Sequence, residues 1–129
     1  VEQLIVGATR NWARNVLEWN LAADPNNDPH TEGGCTSCLG ALTIDGSTIT
    51  RNVAYYIIAH ASKFVVPGSV RIASDMTSGL PNVAFKTPEG KKVLIVLNKT
   101  NGTQTFNIRL NNKSVISTLN SGAVGTYVW

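Results

Sequence analysis

The sequence predicts an α+β chain in which a helix-bearing first part is followed by an all-β antiparallel sandwich. The composition changes near Pro67-Gly68, where helical periodicity gives way to short apolar segments separated by turn residues. With 129 residues, 43% of them hydrophobic and only 15% charged, the chain is long enough to bury a core and too apolar to be disordered. No membrane span is expected, because no apolar run reaches about 18 residues.

The first part begins with apolar residues at helical spacing, which predict a helix over the opening dozen residues: Val1, Ile5, Ala8 and Trp12. We predict a strand over about residues 16–22 after it. In this strand Leu17, Trp19 and Leu21 face one way, and Glu18 and Asn20 face the other. A strand that ends in Trp-Asn before a long loop is typical of the functional face of a parallel β/α barrel.

A polar, turn-rich loop over residues 24–40 follows this strand. Its length favours a functional role, because connections in compact domains are usually shorter. Beyond the loop, Asp45-Gly46 predicts the turn of a hairpin. A second amphipathic helix is predicted from Val53 to Phe64, and Pro67-Gly68 follows its end.

The second part predicts six short strands with turn residues between them: 69–75, 82–87, 92–98, 103–110, 113–119 and 123–128. The segment 93–97 is apolar on both faces, so it is predicted to be a central strand that is covered on each side. Short antiparallel strands at this spacing favour a β-sandwich.

The charge pattern argues against nucleic acid as a partner. The formal net charge is +3, but the basic residues are scattered and only Lys91-Lys92 are adjacent. Neither a cofactor nor a metal is expected. Cys35 and Cys38 have the spacing of redox enzymes and of half a zinc site, but no second Cys/His pair follows and they lie in a loop.

Taken together, five stretches make nearly the whole chain resemble the C-terminal part of glycoside hydrolase family 30, the glucosylceramidase-like enzymes, and especially its bacterial β-glucanases and β-glucosidases. They are Glu18 to Ala22, His30 to Cys35, Tyr56 to Ser69, Val93 to Asn98 and Gly125 to Trp129. The resemblance implies a catalytic (β/α)8 TIM barrel fused to a β-sandwich. Residues 1–67 would then be the last helix, strand, loop and helix of the barrel, and residues 68–129 the C-terminal β-sandwich domain.

The resemblance also implies a retaining β-glycosidase with two catalytic glutamates, on the fourth and seventh barrel strands, both upstream of Val1. Retaining hydrolysis needs two carboxyl groups about 5 Å apart. Of the carboxylates here only Glu18 and Glu32 lie near the predicted sugar wall, and neither matches a catalytic position. No catalytic residue is therefore assigned, and the chain alone is predicted to be inactive. Because it begins with Val1 and its one methionine is Met76, we expect a missing N-terminal barrel portion as its partner.

Four residues are predicted to contact a β-linked glucan or glucoside. The residue pattern alone favours a core position for Trp19, but the resemblance matches it to the tryptophan that lines the subsite of the cleaved sugar. Asn20 is expected to orient the Trp19 loop or to contact the substrate. His30 and Glu32 are expected either to contact the glucan or to be solvated loop residues. His60 lies on the apolar stripe of the second helix, where a packed, hydrogen-bonded histidine is expected.

For a chain that resembles exported enzymes, a local disulfide between Cys35 and Cys38 is favoured, with free thiols and then zinc ligation as alternatives. A secreted or extracytoplasmic location is expected for the same reason. The alternative function is a non-enzymatic carbohydrate-binding or structural β-sandwich module. Such a module would need only the residues after Pro67-Gly68, whereas a piece of an enzyme needs those before it as well.

Overall fold

The computed structural model describes residues 1–129. A π-helical segment, Glu2–Gly7, runs directly into the short helix α1 (Ala8–Arg10), and the longer helix α2 spans Val53–Ser62. The nine strands are β1 (Ala22–Ala23), β2 (Leu42–Asp45), β3 (Thr48–Arg51), β4 (Val70–Ile72), β5 (Asn82–Lys86), β6 (Lys92–Leu97), β7 (Gln104–Leu110), β8 (Lys113–Leu119) and β9 (Val124–Val128). No helix of the chain combines the length and the apolar composition that crossing a membrane requires.

Strands β1, β2 and β3 form a small sheet before α2. Strand β1 pairs in parallel with β2, and β2 pairs antiparallel with β3. The predicted hairpin turn is confirmed, because Asp45 pairs with Thr48 across it and Gly46 has a positive φ of 55°. Left-handed backbone of this kind is what a tight hairpin turn requires and what glycine adopts without strain.

The second half contains a four-stranded antiparallel sheet in the order β4-β5-β6-β9 and a separate two-stranded sheet, β7-β8. All six predicted strands are present, with ends shifted by a few residues. Strand β6 lies between β5 and β9. Val93 and Ile95 on one of its faces are fully buried, and Val96 on the other face is 3% exposed. The prediction of a covered central strand is therefore confirmed.

One face of the four-stranded sheet carries the core. Val83 pairs with Ile95 and Phe85 with Val93, so alternation along β5 and β6 places these four side chains on one face. Ile5 and Val6 of the π-helical segment complete the buried cluster. Helix α2 and the residues after it pack against the same cluster through Ile57, Ile58, Ala61, Phe64 and Val65. The sheet thus covers the apolar faces of both helical segments, and the two halves of the chain share one core.

The opposite face of the sheet is covered by β7 and β8. The Phe106 and Tyr127 rings meet edge to face with centroids 6.1 Å apart. The hydroxyl oxygens of Ser117 and Tyr127 are 2.6 Å apart. These contacts join β7 and β8 to β9 and complete a layered β-sandwich.

Asn98, which follows β6, is buried and joins three segments of the sandwich. Its side-chain amide donates to the carbonyls of Gly102 and Leu119 at 2.8 and 2.9 Å. Its carbonyl oxygen accepts from the backbone N–H and the hydroxyl of Thr100 at 2.9 and 2.8 Å. A buried side-chain amide that is satisfied on both atoms fixes the loop after β6 against the end of β8.

Two predictions about the first part are wrong in extent. The strand predicted over 16–22 is regular only in β1. Before it, Asn20 and Leu21 accept from the start of β2, but residues 16–19 have no neighbouring strand for their backbone groups. The predicted helix stripe is also wrong at Trp12. The α-helical turn ends at Arg10, and the Trp12 side chain is 79% exposed, whereas Ile5 and Val6 make the core contact.

Candidate functional site

The segment that carries Trp19 and Asn20 is held by the start of β2. The backbone N–H of Ala41 donates to the Asn20 carbonyl at 3.0 Å, and the N–H of Leu42 donates to the Leu21 carbonyl at 2.9 Å. Gly40 is buried against this segment, and a Cβ atom at Gly40 would lie only 2.8 Å from backbone atoms of Ala22 and Ala23. The close approach of Gly40 therefore positions the predicted sugar-binding residues.

Trp19 does not belong to the core of this chain. Its side chain is 70% exposed. Leu17 and Leu21 are exposed as well, while Glu18 and Asn20 between them are partly buried. This alternation of exposure agrees with the predicted one, and the apolar side chains face solvent. Trp19 therefore presents an accessible indole at the centre of an apolar surface.

Asn20 is partly buried next to helix α2. It lines a cavity of about 530 Å³ beside α2 together with Glu18, Tyr55 and Ser62. Its side-chain oxygen is buried and has no hydrogen-bond partner. Buried polar atoms are normally paired, so this amide is available for a polar contact. Trp19 does not line this cavity, so the cavity does not bring Asn20 together with the Trp19 indole.

The loop over residues 24–40 is organised by Asp24. One of its carboxylate oxygens accepts the backbone N–H groups of Asn26 and Asp28 at 2.7 and 2.9 Å. The hydrogen bond from the Asp28 backbone holds the pKa of the Asp24 carboxyl below its ordinary value. This carboxyl is therefore suited to shaping the loop and unsuited to donating a proton.

His30 and Glu32 project from the same loop. His30 Nε2 lies 3.2 Å from an Asp28 carboxylate oxygen. Glu32 is exposed and makes no ion pair or side-chain hydrogen bond. A disulfide joins Cys35 and Cys38 further along the loop. The structure does not gather Trp19, Asn20, His30 and Glu32 into one pocket, so their sugar contacts remain predictions.

Two carboxylates elsewhere in the chain lie beside lysines. Glu2 accepts from Lys99 at 2.8 Å, and Glu89 lies 3.2 Å from Lys91. No group of three or more His, Cys, Asp or Glu side chains is placed to hold a metal ion. Each of these two contacts pairs a carboxylate with a lysine, whereas glycoside hydrolysis requires two facing carboxyl groups.

Trp12 and Arg71 form a pair that the residue pattern does not predict. The guanidinium carbon of Arg71 lies 4.5 Å from the centroid of the Trp12 ring. A cavity of about 750 Å³ opens beside these two residues. Sequence carries no signal for this pair, because the contact joins the end of the opening helix to an edge strand of the sandwich.

Comparison with known proteins agrees with the fold. The family model of the glycosyl hydrolase family 30 β-sandwich domain matches residues 68–127. Over 100 residues the chain is 33% identical to the endo-1,6-β-D-glucanase neg1 of Aspergillus fumigatus, which covers 72% of this chain and 20% of that protein. It is 27% identical over 115 residues to the mouse lysosomal acid glucosylceramidase, covering 87% of this chain and 22% of that protein.

The solved structure of an endo-β1,6-glucanase superposes with a TM-score of 0.90 at 34% identity, over 99% of this chain and 30% of that one. The chain therefore belongs to glycoside hydrolase family 30 and contains the C-terminal β-sandwich domain of that family. It spans about a fifth of the length of the curated relatives described above.

Proposed function

We propose that the chain is the C-terminal portion of a retaining β-glycosidase that acts on β-1,6-linked glucan. The observation that carries this proposal is the superposition on an endo-β1,6-glucanase over 99% of the chain, which includes the residues before the sandwich. Relatives named endo-1,6-β-glucanase are 32 to 34% identical to the chain, whereas the mouse glucosylceramidase is 27% identical. The higher identity to the β-1,6-glucanases supports β-1,6-glucan over a glucosylceramide as the substrate.

In this proposal residues 1–67 are the last unit of a TIM barrel and residues 68–129 are the sandwich. The parallel pairing of β1 with β2 and the helix α2 that follows support it, because parallel strands in α/β folds are covered by helices. The open apolar face of Leu17, Trp19 and Leu21 supports it as well. A barrel supplied by the missing N-terminal portion would cover part of this face.

Trp19 would form one wall of the sugar-binding site. An indole face suits the apolar C–H face of a pyranose and leaves its N–H free for a hydroxyl group. Asn20, His30 and Glu32 would supply polar contacts around it. The two catalytic glutamates would lie in the missing portion, so this chain would position the glucan and perform no bond cleavage.

The disulfide between Cys35 and Cys38 supports a secreted or extracytoplasmic location, because disulfides persist in oxidising compartments. The second candidate function is a carbohydrate-binding or structural sandwich without enzymatic activity. The family match to residues 68–127 favours that candidate, since those residues alone would form such a module. Ile5 and Val6 share a core with the sheet, which supports the first proposal, in which the residues before the sandwich are part of the folded unit.

The test is to graft the chain into the superposed endo-β1,6-glucanase in place of its matching segment. We expect the purified chain alone to release no sugar from β-1,6-glucan and the graft to hydrolyse it. A folded graft that hydrolyses neither β-1,6-glucan nor an aryl β-glucoside, together with glucan binding by residues 68–129 alone, would favour the binding module. Hydrolysis by the chain alone would contradict the absence of a catalytic pair.

A further inference from the structure

Trp12 occupies a backbone position that normally belongs to glycine. Its φ is +69°, in the left-handed region. The N–H of Trp12 donates to the Thr9 carbonyl at 3.2 Å, and the N–H of Ala13 donates to the Ala8 carbonyl at 2.9 Å. These two bonds form a Schellman helix end, in which the left-handed residue is usually glycine because a Cβ atom is disfavoured there.

The Trp12 side chain contributes little to the stability of the fold. It is 79% exposed, so it buries little apolar surface. Arg71 covers one face of the indole at 4.5 Å and leaves the rest of the ring accessible. A large residue that is held in an unfavourable conformation and left exposed is a mark of a functional surface.

The adjoining cavity has polar groups that are not satisfied within the chain. It measures about 750 Å³ and has no Asp or Glu in its lining. Its polar lining residues are Thr9, Arg14, Asn15, Ser62, Ser69 and Arg71. The Ser69 hydroxyl oxygen and the Arg71 Nε atom are buried without a hydrogen-bond partner. Arg71 forms no ion pair and no side-chain hydrogen bond. Unpaired buried groups of this kind are costly, and a ligand rich in oxygen acceptors would satisfy them.

We propose that Trp12 and this cavity form a second saccharide-binding site, which takes a glucosyl unit of a β-linked glucan. The choice of glucan as the ligand rests on the proposed function. The accessible part of the indole would stack on the pyranose, and the hydroxyl oxygens of the sugar would accept from Arg71 and from Asn15 or Ser69. An aromatic wall with apolar neighbours such as Val65 and Phe85 suits a pyranose better than a bare inorganic anion.

This site differs from the predicted wall at Trp19. None of Trp19, Asn20, His30 and Glu32 lines the cavity beside Trp12. A glucan chain would be held here away from the point of cleavage. The stack of Arg71 on the indole orients the ring before any ligand arrives, which reduces the entropy lost on binding.

The experiment follows the three tryptophan indole N–H signals of the chain by NMR during titration with a short β-1,6-linked gluco-oligosaccharide. Trp12→Gly identifies the Trp12 signal, and because glycine suits the left-handed backbone this variant should unfold at about the wild-type temperature. We expect a saturable shift of the Trp12 signal in the wild type. We expect about tenfold weaker binding in Arg71→Gln, since a hydrogen bond from a charged donor is lost. An α-1,4-linked oligosaccharide of equal length is the control ligand.

Three results would overturn this site: no saturable shift of the Trp12 signal in the folded chain, an equal shift with the α-1,4-linked control, or unchanged affinity in a folded Arg71→Gln variant. Arg71→Lys provides a second variant, which keeps the charge and removes the planar fork. The readout is independent of hydrolysis by the graft. A saturable Trp12 shift together with an inactive graft would contradict the proposed enzyme role and support the second site. An active graft without a Trp12 shift would contradict the second site alone.

Discussion

His60 Nδ1 on helix α2 lies 2.9 Å from the hydroxyl oxygen of Thr126 on strand β9. This contact joins the helical first part to the central sheet at the side where the shared core is buried. It also confirms that His60 is a packed, hydrogen-bonded residue. The hydroxyl of Thr126 lies 3.4 Å from the His60 carbonyl as well, so the threonine meets both the ring and the backbone of this helical residue.

We predict that the contact makes the stability of the chain depend on pH. Burial lowers the pKa of His60, and the positively charged N terminus lowers it further, so folding favours the neutral ring. The stabilisation of the fold by the neutral His60 ring is therefore fully present above the unfolded-state pKa of about 6.5. It is lost as the pH falls through the lower folded-state pKa. Urea unfolding should show the free energy of unfolding falling from about pH 7.5 to pH 5.5, and His60→Gln should reduce this fall. Equal slopes in wild type and His60→Gln would rule out this role.

The docking of the opening segment on the sheet predicts a large effect of Ile5→Ala. Ile5 is 1% exposed and packs in the cluster with Val83 and Val93, so truncation should lower the free energy of unfolding by about 2–5 kcal/mol. Leu4→Ala is the matched control, because Leu4 is 41% exposed, and it should cost less than about 1 kcal/mol. Chemical denaturation measures both variants. Equal and small losses would mean that this segment does not share the core.

Asn98→Ala should be among the most destabilising polar substitutions in the sandwich. It removes the side-chain donor to the carbonyls of Gly102 and Leu119 and the acceptor of the Thr100 backbone N–H, and the Gly102 carbonyl keeps only the Thr100 hydroxyl as a side-chain donor. We expect a loss of about 2 kcal/mol or more in the free energy of unfolding, since buried polar groups lose their partners. Asn101→Ala changes an exposed asparagine nearby and should be close to neutral. A neutral Asn98→Ala would contradict the network.

Gly40→Ala should displace the segment that carries Trp19. The added Cβ would lie 2.8 Å from backbone atoms of Ala22 and Ala23, which cannot move aside as a flexible side chain can. We expect a loss of about 1–3 kcal/mol and faster hydrogen exchange at the N–H groups of Ala41 and Leu42, which pair with this segment. Gly102→Ala meets no atom within 4 Å and is the control. Unchanged exchange in Gly40→Ala would show that the close approach does not fix the segment.

The second half of the fold could be predicted from sequence because its signals are local. Alternation and turn residues mark each strand of the sandwich, and the apolar run in β6 marks a strand that is buried on both faces. The hairpin at Asp45-Gly46 and the helix α2 were predictable for the same reason. Each of these elements is marked in the sequence by its own turn residues, its hydrophobic periodicity or the residues that end it.

The first part was harder because its structure depends on partners. A strand over 16–22 needs neighbours for its backbone, and only β2 is present, so regular pairing is confined to Ala22–Ala23. Trp12 fits the helical spacing of the residues before it, but the helix ends at Arg10 in a turn that sequence associates with glycine. The contact between Trp12 and Arg71 and the close approach of Gly40 are tertiary, and no local pattern encodes them.

The claim that this chain supplies a glucan-binding wall is tested most directly by Trp19→Ala in the grafted enzyme. Trp19 lies outside the core of this chain, so the substitution should leave the graft folded while lowering kcat/KM for β-1,6-glucan by about tenfold or more. Ile116→Ala is the matched control, because Ile116 is also 70% exposed but lies on β8 of the sandwich, and it should leave kcat/KM unchanged. A folded Trp19→Ala graft with wild-type kcat/KM would contradict the wall at Trp19.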